Sequence, residues 1–131
     1  MAEPSSISGE WVKKTINDFI ATSLLNTMED NTGAPAWDKV LVGVASGADP
    51  LWQQYKEYVG AFHWTPWEVF HQHCPDKNAS ADQLTVISWV LPQTEQVRQS
   101  NVAMDRYPSE VWARIRVHGE AFNVALRQYL V

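Results

Sequence analysis

The sequence predicts an α/β fold: helices packed on both faces of a small sheet, forming an incomplete part of a larger α/β domain. Three observations predict it. Two short runs, residues 40–45 and 84–91, are apolar on both faces, as in strands covered on both sides. The segments around them carry apolar residues at helical spacing. Only two convincing strands are evident, and two strands make a poor independent sheet, so either a third strand is hidden, or strands come from a partner, or the chain is the front part of a longer protein.

Residues 1–7 read as a short tail. Ser8 is placed to cap a first helix, with Glu10 in its first turn. Val12, Ile16, Phe19, Ile20, Leu24 and Met28 recur at helical spacing, extending that helix to about Glu29; the polar run 30–35 ends it. Val40 to Ala45 is the first strand. The turn Ser46–Pro50 leads into a second helix, with Asp49 as N-cap, Pro50 at N1 and Gly60 at its close. Thr65-Pro-Trp-Glu68 is a capping box opening a third helix. The second strand, Leu84 to Leu91, is stopped by Pro92, with Val86, Ile87 and Trp89 expected deep in a central strand. A short helix over 94–102 and a long one from about Pro108 to Leu130 follow. The long helix carries Val111, Ile115, Phe122, Leu126 and Tyr129 on one stripe.

The chain has 131 residues, which predicts a single domain over 1–131. Its net charge of −5 is not the field of a general nucleic-acid binder. Every lysine lies at or before Lys77, and every arginine (Arg98, Arg106, Arg114, Arg116, Arg127) lies after it. Arginine suits bidentate recognition of carboxylate or phosphate; a solvated helix face is the plainer alternative. The seven tryptophans are either packing residues or the walls of a flat, aromatic-lined site for a large planar ligand. Cys74 is the only cysteine, which leaves no intramolecular disulfide. With no signal-peptide pattern at the N-terminus and no 18-residue apolar run, the expected location is cytoplasmic and no membrane association is expected.

Three groupings could carry chemistry. His71, His73 and Cys74 are metal-ligand types. On one helix, however, the two histidines point about 200° apart, so no metal site is assigned. The turn from Ser46 to Asp49 follows a strand and opens a helix, where open α/β sheets place ligands and backbone N–H groups can hold an anion. Arg114, His118 and Glu120 lie in the most polar segment, with Arg114 four residues from both Glu110 and His118 on a shared helix face.

Taken in order, the segments VGVASGADPL (42–51), GAFHWTP (60–66), the strand ending at Leu91-Pro92, and ARIRVHGEAFN (113–123) resemble the N-terminal region of epoxyqueuosine-reductase-like proteins. These are cobalamin-using, ferredoxin-containing iron–sulfur reductases. The resemblance implies a cofactor- and substrate-contacting domain, with Arg114, Ser46 and Asp49 toward the cofactor and His118 and Glu120 as catalytic groups. It implies cobalamin as cofactor and a C-terminal ferredoxin-like segment as partner, a homodimer being the alternative. The chain departs from the family in two ways. The family's proton-donor aspartate, tyrosine and histidine fall on Ala121, Phe122 and Asn123, with Glu120 one residue away, about 100° round the helix. The family's 4Fe–4S cluster needs a run of cysteines, which Cys74 alone does not supply. The chain is therefore not expected to be redox-competent by itself. The remaining alternative is a stand-alone, non-catalytic module for ligand binding or protein interaction.

Overall fold

The computed structural model describes residues 8–131, so the expected tail lies outside the described residues. The fold is mixed α/β, with five helices and one small two-stranded antiparallel sheet among those residues. In chain order the elements are α1 (Gly9–Thr22), β1 (Leu41–Ser46), α2 (Leu51–Tyr58), α3 (Pro66–His73), a 3₁₀ turn (Ala81–Gln83), β2 (Thr85–Val90), α4 (Glu95–Val102) and α5 (Glu110–Tyr129). No described helix is long and apolar enough to cross a membrane. The described residues divide into two compact units: one takes in those up to Leu41 together with Trp89–Val131, the other Val42–Ser88.

The first unit holds the buried apolar core. Ser8 caps α1, accepting from Trp11 N–H at 3.1 Å, and α1 buries Val12, Ile16 and Ile20, one residue per turn. On α5, Ser109 accepts from Trp112 N–H, and the buried stripe is Ile115, Phe122 and Leu126. Val97 of α4 and Met28, Ala36, Trp37 and Val40 complete the core. The first helix is shorter than its apolar spacing predicts, ending at Thr22 instead of Glu29. Local side-chain-to-backbone bonds take over there: Thr27, Asp30 and Thr32 each accept from a backbone N–H two residues on, an alternative that competes with helix. Leu24, part of the expected helical stripe, is 95% exposed.

Both strands, which fall mostly in the second unit, lie within a residue or two of their expected bounds. Their expected burial is overturned. Ile87 is 37% exposed and Val44, its neighbour across the ladder, 50%; Val86 is only half-buried, as is Trp89 at the far end of β2. Leu41 and Val90, a pair at that same end, are 64% and 60% exposed. Apolar alternation records which surface would gain from being covered; covering it takes further strands or helices, and a two-stranded sheet leaves both outer edges and much of both faces to solvent. Among the described residues no apolar side chain of Val42–Ser88 is fully buried.

Candidate functional site

Three separate pieces of the second unit build a concave apolar surface. Asp49 Oδ1 accepts from Leu51 N–H at 2.9 Å, opening α2 one residue later than expected, with Pro50 as the cap position. This start places Trp52, whose indole N–H donates to Ser46 O at 2.8 Å. The third helix opens as the sequence predicts: Thr65 Oγ1 accepts from Glu68 N–H, and Glu68 Oε2 accepts from Thr65 N–H at 2.7 Å, with Pro66 in the first turn. That start sets Trp64, Val69 and Phe70. Leu84, Thr85 and Val86, at the beginning of β2, supply the third side. Together these residues line an open hollow of about 520 Å³, with His73, Cys74 and Thr85 as its polar members. Ligand sites are commonly concave, mostly apolar and provided with few polar groups. A neighbouring, more polar hollow of about 510 Å³ is lined by Asp49, Gln53, Thr65, Trp67 and Glu68, among others.

Glu68 is held by charge as well as by the cap. Lys56 Nζ lies 2.6 Å from Glu68 Oε1, and this ammonium, with the Thr65 N–H, brings the carboxyl from an ordinary 4.5 to about 2. A depressed carboxyl stabilises the folded state above its unfolded value and loses that contribution as pH falls toward its folded value. The stability gap between the unmodified chain and Glu68→Gln, which keeps an acceptor for the cap, is therefore expected to be full above about pH 5 and to close as pH falls to about 2. Urea unfolding across that range checks it; a gap that widens on acidification would refute the assignment.

The residues singled out from sequence are placed as follows. Arg114 and His118 share a shallow groove on α5 with Glu29, Glu110 and Val117. Arg114 donates to Glu29 O at 2.7 Å and pairs with Glu110. His118 donates through Nε2 to Leu25 O at 2.7 Å, and its ring stacks on Trp37 at 5.9 Å. Both side chains thus anchor the loop after α1 to α5. Glu120 pairs with Arg127 at 3.2 Å on the exposed surface. Ser46 and Asp49 belong to the other unit, where Ser46 Oγ accepts from Ala48 N–H and Asp49 Oδ1 accepts from Leu51 N–H just ahead of the Pro50 cap of α2. Of the histidines near Cys74, His71 stacks on Trp67 at 4.7 Å, while His73 Nδ1 contacts Val69 O at 2.9 Å. Among the described residues no three His, Cys, Asp or Glu side chains converge as a metal-binding group.

The hollow itself was not located from sequence. Tryptophan abundance was the signal for a flat aromatic site, but it does not say which tryptophans converge. No protein-family model matches this chain, and no curated protein or solved structure matches it.

Proposed function

We propose that this chain is a binding module whose 42–88 unit takes a flat, largely apolar ligand in the aromatic hollow. In this proposal it is the cofactor- and substrate-contacting part of a reductase-like protein of the epoxyqueuosine-reductase-like kind. One observation carries the reading: Trp52, Trp64, Val69, Phe70 and Leu84 stay unburied around a hollow of about 520 Å³. Large aromatic surface left open to water gains free energy when a planar ligand covers it. The resemblance makes cobalamin the first ligand to try; its corrin carries polar amide arms, which this apolar lining would leave in solvent. The module is not redox-competent alone, since Cys74 cannot hold a cluster. Arg114 and His118 have their hydrogen bonds taken up by the α1–α5 loop, so the proposal places ligand contact on the hollow and gives these two a supporting part.

The test is a titration of purified chain with cobalamin, followed by the visible spectrum of the corrin and by tryptophan fluorescence. A saturable spectral change is expected, weakened about tenfold by Trp64→Ala through lost aromatic contact and unaffected by Trp11→Ala on α1. No saturable change would remove cobalamin. A change untouched by Trp64→Ala would move the site elsewhere. The second reading, a protein-interaction module, is favoured by the uncovered strands Leu41–Ser46 and Thr85–Val90.

A further inference from the structure

We infer that the outer edge of β1 is a pairing edge, and that its occupant is the same strand of a second copy, joined antiparallel about a twofold axis. β1 and β2 are paired over their full six residues each. Just beyond their ends, Gly47 N–H donates to Leu84 O at 2.8 Å. That bond fixes the alternation of the ladder. Gly43 and Ala45 turn their N–H and C=O groups toward β2, and Val42, Val44 and Ser46 turn theirs outward. The contact from Trp52 Nε1 to Ser46 O agrees, since an inward carbonyl would be occupied by the ladder. Gly43 lies beside Ser88, a Cβ there meeting Ser88 Oγ at 3.1 Å, which matches the same register. Among the described residues, nothing bonds the outward groups of Val42 or Val44.

An open edge is ordinarily blunted by charge, proline or a bulge. β1 reads Leu-Val-Gly-Val-Ala-Ser and carries neither charge nor proline. The strand that fits such an edge is extended, uncharged and spaced alike, and β1 meets these conditions itself. In the register that sets Val44 opposite Val44 of the second copy, Val42 faces Ser46, and the outward groups can form about four hydrogen bonds, since Ser46 O already accepts from Trp52 Nε1 and Asp49 N–H. The two chains are each net −5, yet the residues that meet are neutral, so no like charges are brought face to face. A twofold axis makes this contact self-complementary and closed, giving a four-stranded sheet in place of two exposed hairpin-like pairs. The outer edge of β2 is less suited: Thr85 lines the aromatic hollow, and Trp89 is tied to Asn123 by its indole N–H at 3.1 Å.

The experiment is sedimentation equilibrium of the untagged chain, paired with residue-resolved amide hydrogen exchange over a wide concentration range. A dimer is expected, with the Val44 and Ser46 amides exchanging more slowly as concentration rises, and the Gly43 and Ala45 amides protected throughout. Val44→Pro deletes one outward N–H without cutting the β1–β2 ladder and should weaken dimerisation about tenfold or more. Ile87→Pro, on the outer edge of β2, should leave it unchanged. Should Val44→Pro fail to fold, the exchange of the unmodified chain decides the question alone. A monomer at every concentration overturns the inference. So does a dimer whose Val44 and Ser46 amides are indifferent to concentration, one that a folded Val44→Pro chain forms equally well, or one more sensitive to a folded Ile87→Pro chain.

Discussion

Phe122→Ala is expected to destabilise the chain by about 3–5 kcal/mol, a large share of the total stability of an ordinary domain of this size. Phe122 is fully buried on α5. Its ring sits 4.5 Å from that of Trp37 and 5.5 Å from that of Phe19, tilted against both, a geometry that adds to simple area burial. Truncation removes the ring and leaves a cavity that three different segments (α1, the loop before β1, and α5) would have to collapse into together. Among the described residues the second unit has no fully buried apolar side chain of its own, so the packing lost at Phe122 has no buried counterpart there. Phe122→Leu, which keeps much of the volume, should cost less than about 1.5 kcal/mol. Urea unfolding of the three chains checks this. A loss below about 1 kcal/mol for Phe122→Ala would mean that the site relaxes far more freely than buried aromatic positions do.

The same position shows what could and could not be read from the sequence. The stripe Ile115, Phe122 and Leu126 was legible because helical spacing is a local property, and the core face of α5 follows it. The α3 start was legible atom by atom, because a capping box involves four consecutive residues. The strands were legible in position and illegible in burial: Ile87 and Val44 look like core because they are apolar, and their exposure depends on cover that lies outside their own segments. The candidate site divides in the same way. The Glu110–Arg114 pair was visible as a four-residue spacing. The carbonyls that Arg114 and His118 bind, on Glu29 and Leu25, lie 85 and 93 residues away in sequence. No spacing rule links them, so two side chains that read as chemistry turn out to hold a loop. The hollow, assembled from Trp52, Trp64, Phe70 and Leu84, is likewise a product of three separated segments.

That loop provides the second large expected effect. Asn26 draws no notice in the sequence, yet its side-chain amide makes four bonds. Nδ2 donates to Ile20 O at 3.2 Å and Trp37 O at 3.1 Å. Oδ1 accepts from Ala36 N–H at 3.0 Å and Trp37 N–H at 2.9 Å. One residue thereby ties the end of α1 to the segment that carries Trp37 into the core, and every polar group of the amide that faces the backbone is used. Asn26→Ala leaves two N–H and two C=O groups without these partners in a partly buried setting, and is expected to cost roughly 2–4 kcal/mol. Asn26→Asp separates the halves: it keeps the two accepted bonds but sets a carboxylate oxygen against the carbonyls of Ile20 and Trp37, so at neutral pH it should be nearly as damaging as alanine. Arg114 holds the same loop at Glu29 O, so the two anchors should be coupled, and a double-mutant cycle of Asn26→Ala with Arg114→Ala should give an interaction energy of at least about 0.5 kcal/mol. Strict additivity would mean that the two ends of the loop behave independently. A cost below about 0.5 kcal/mol for Asn26→Ala alone, the size of an ordinary surface substitution, would show that Trp37 is placed by its packing against Phe122 and His118 and that the amide only follows.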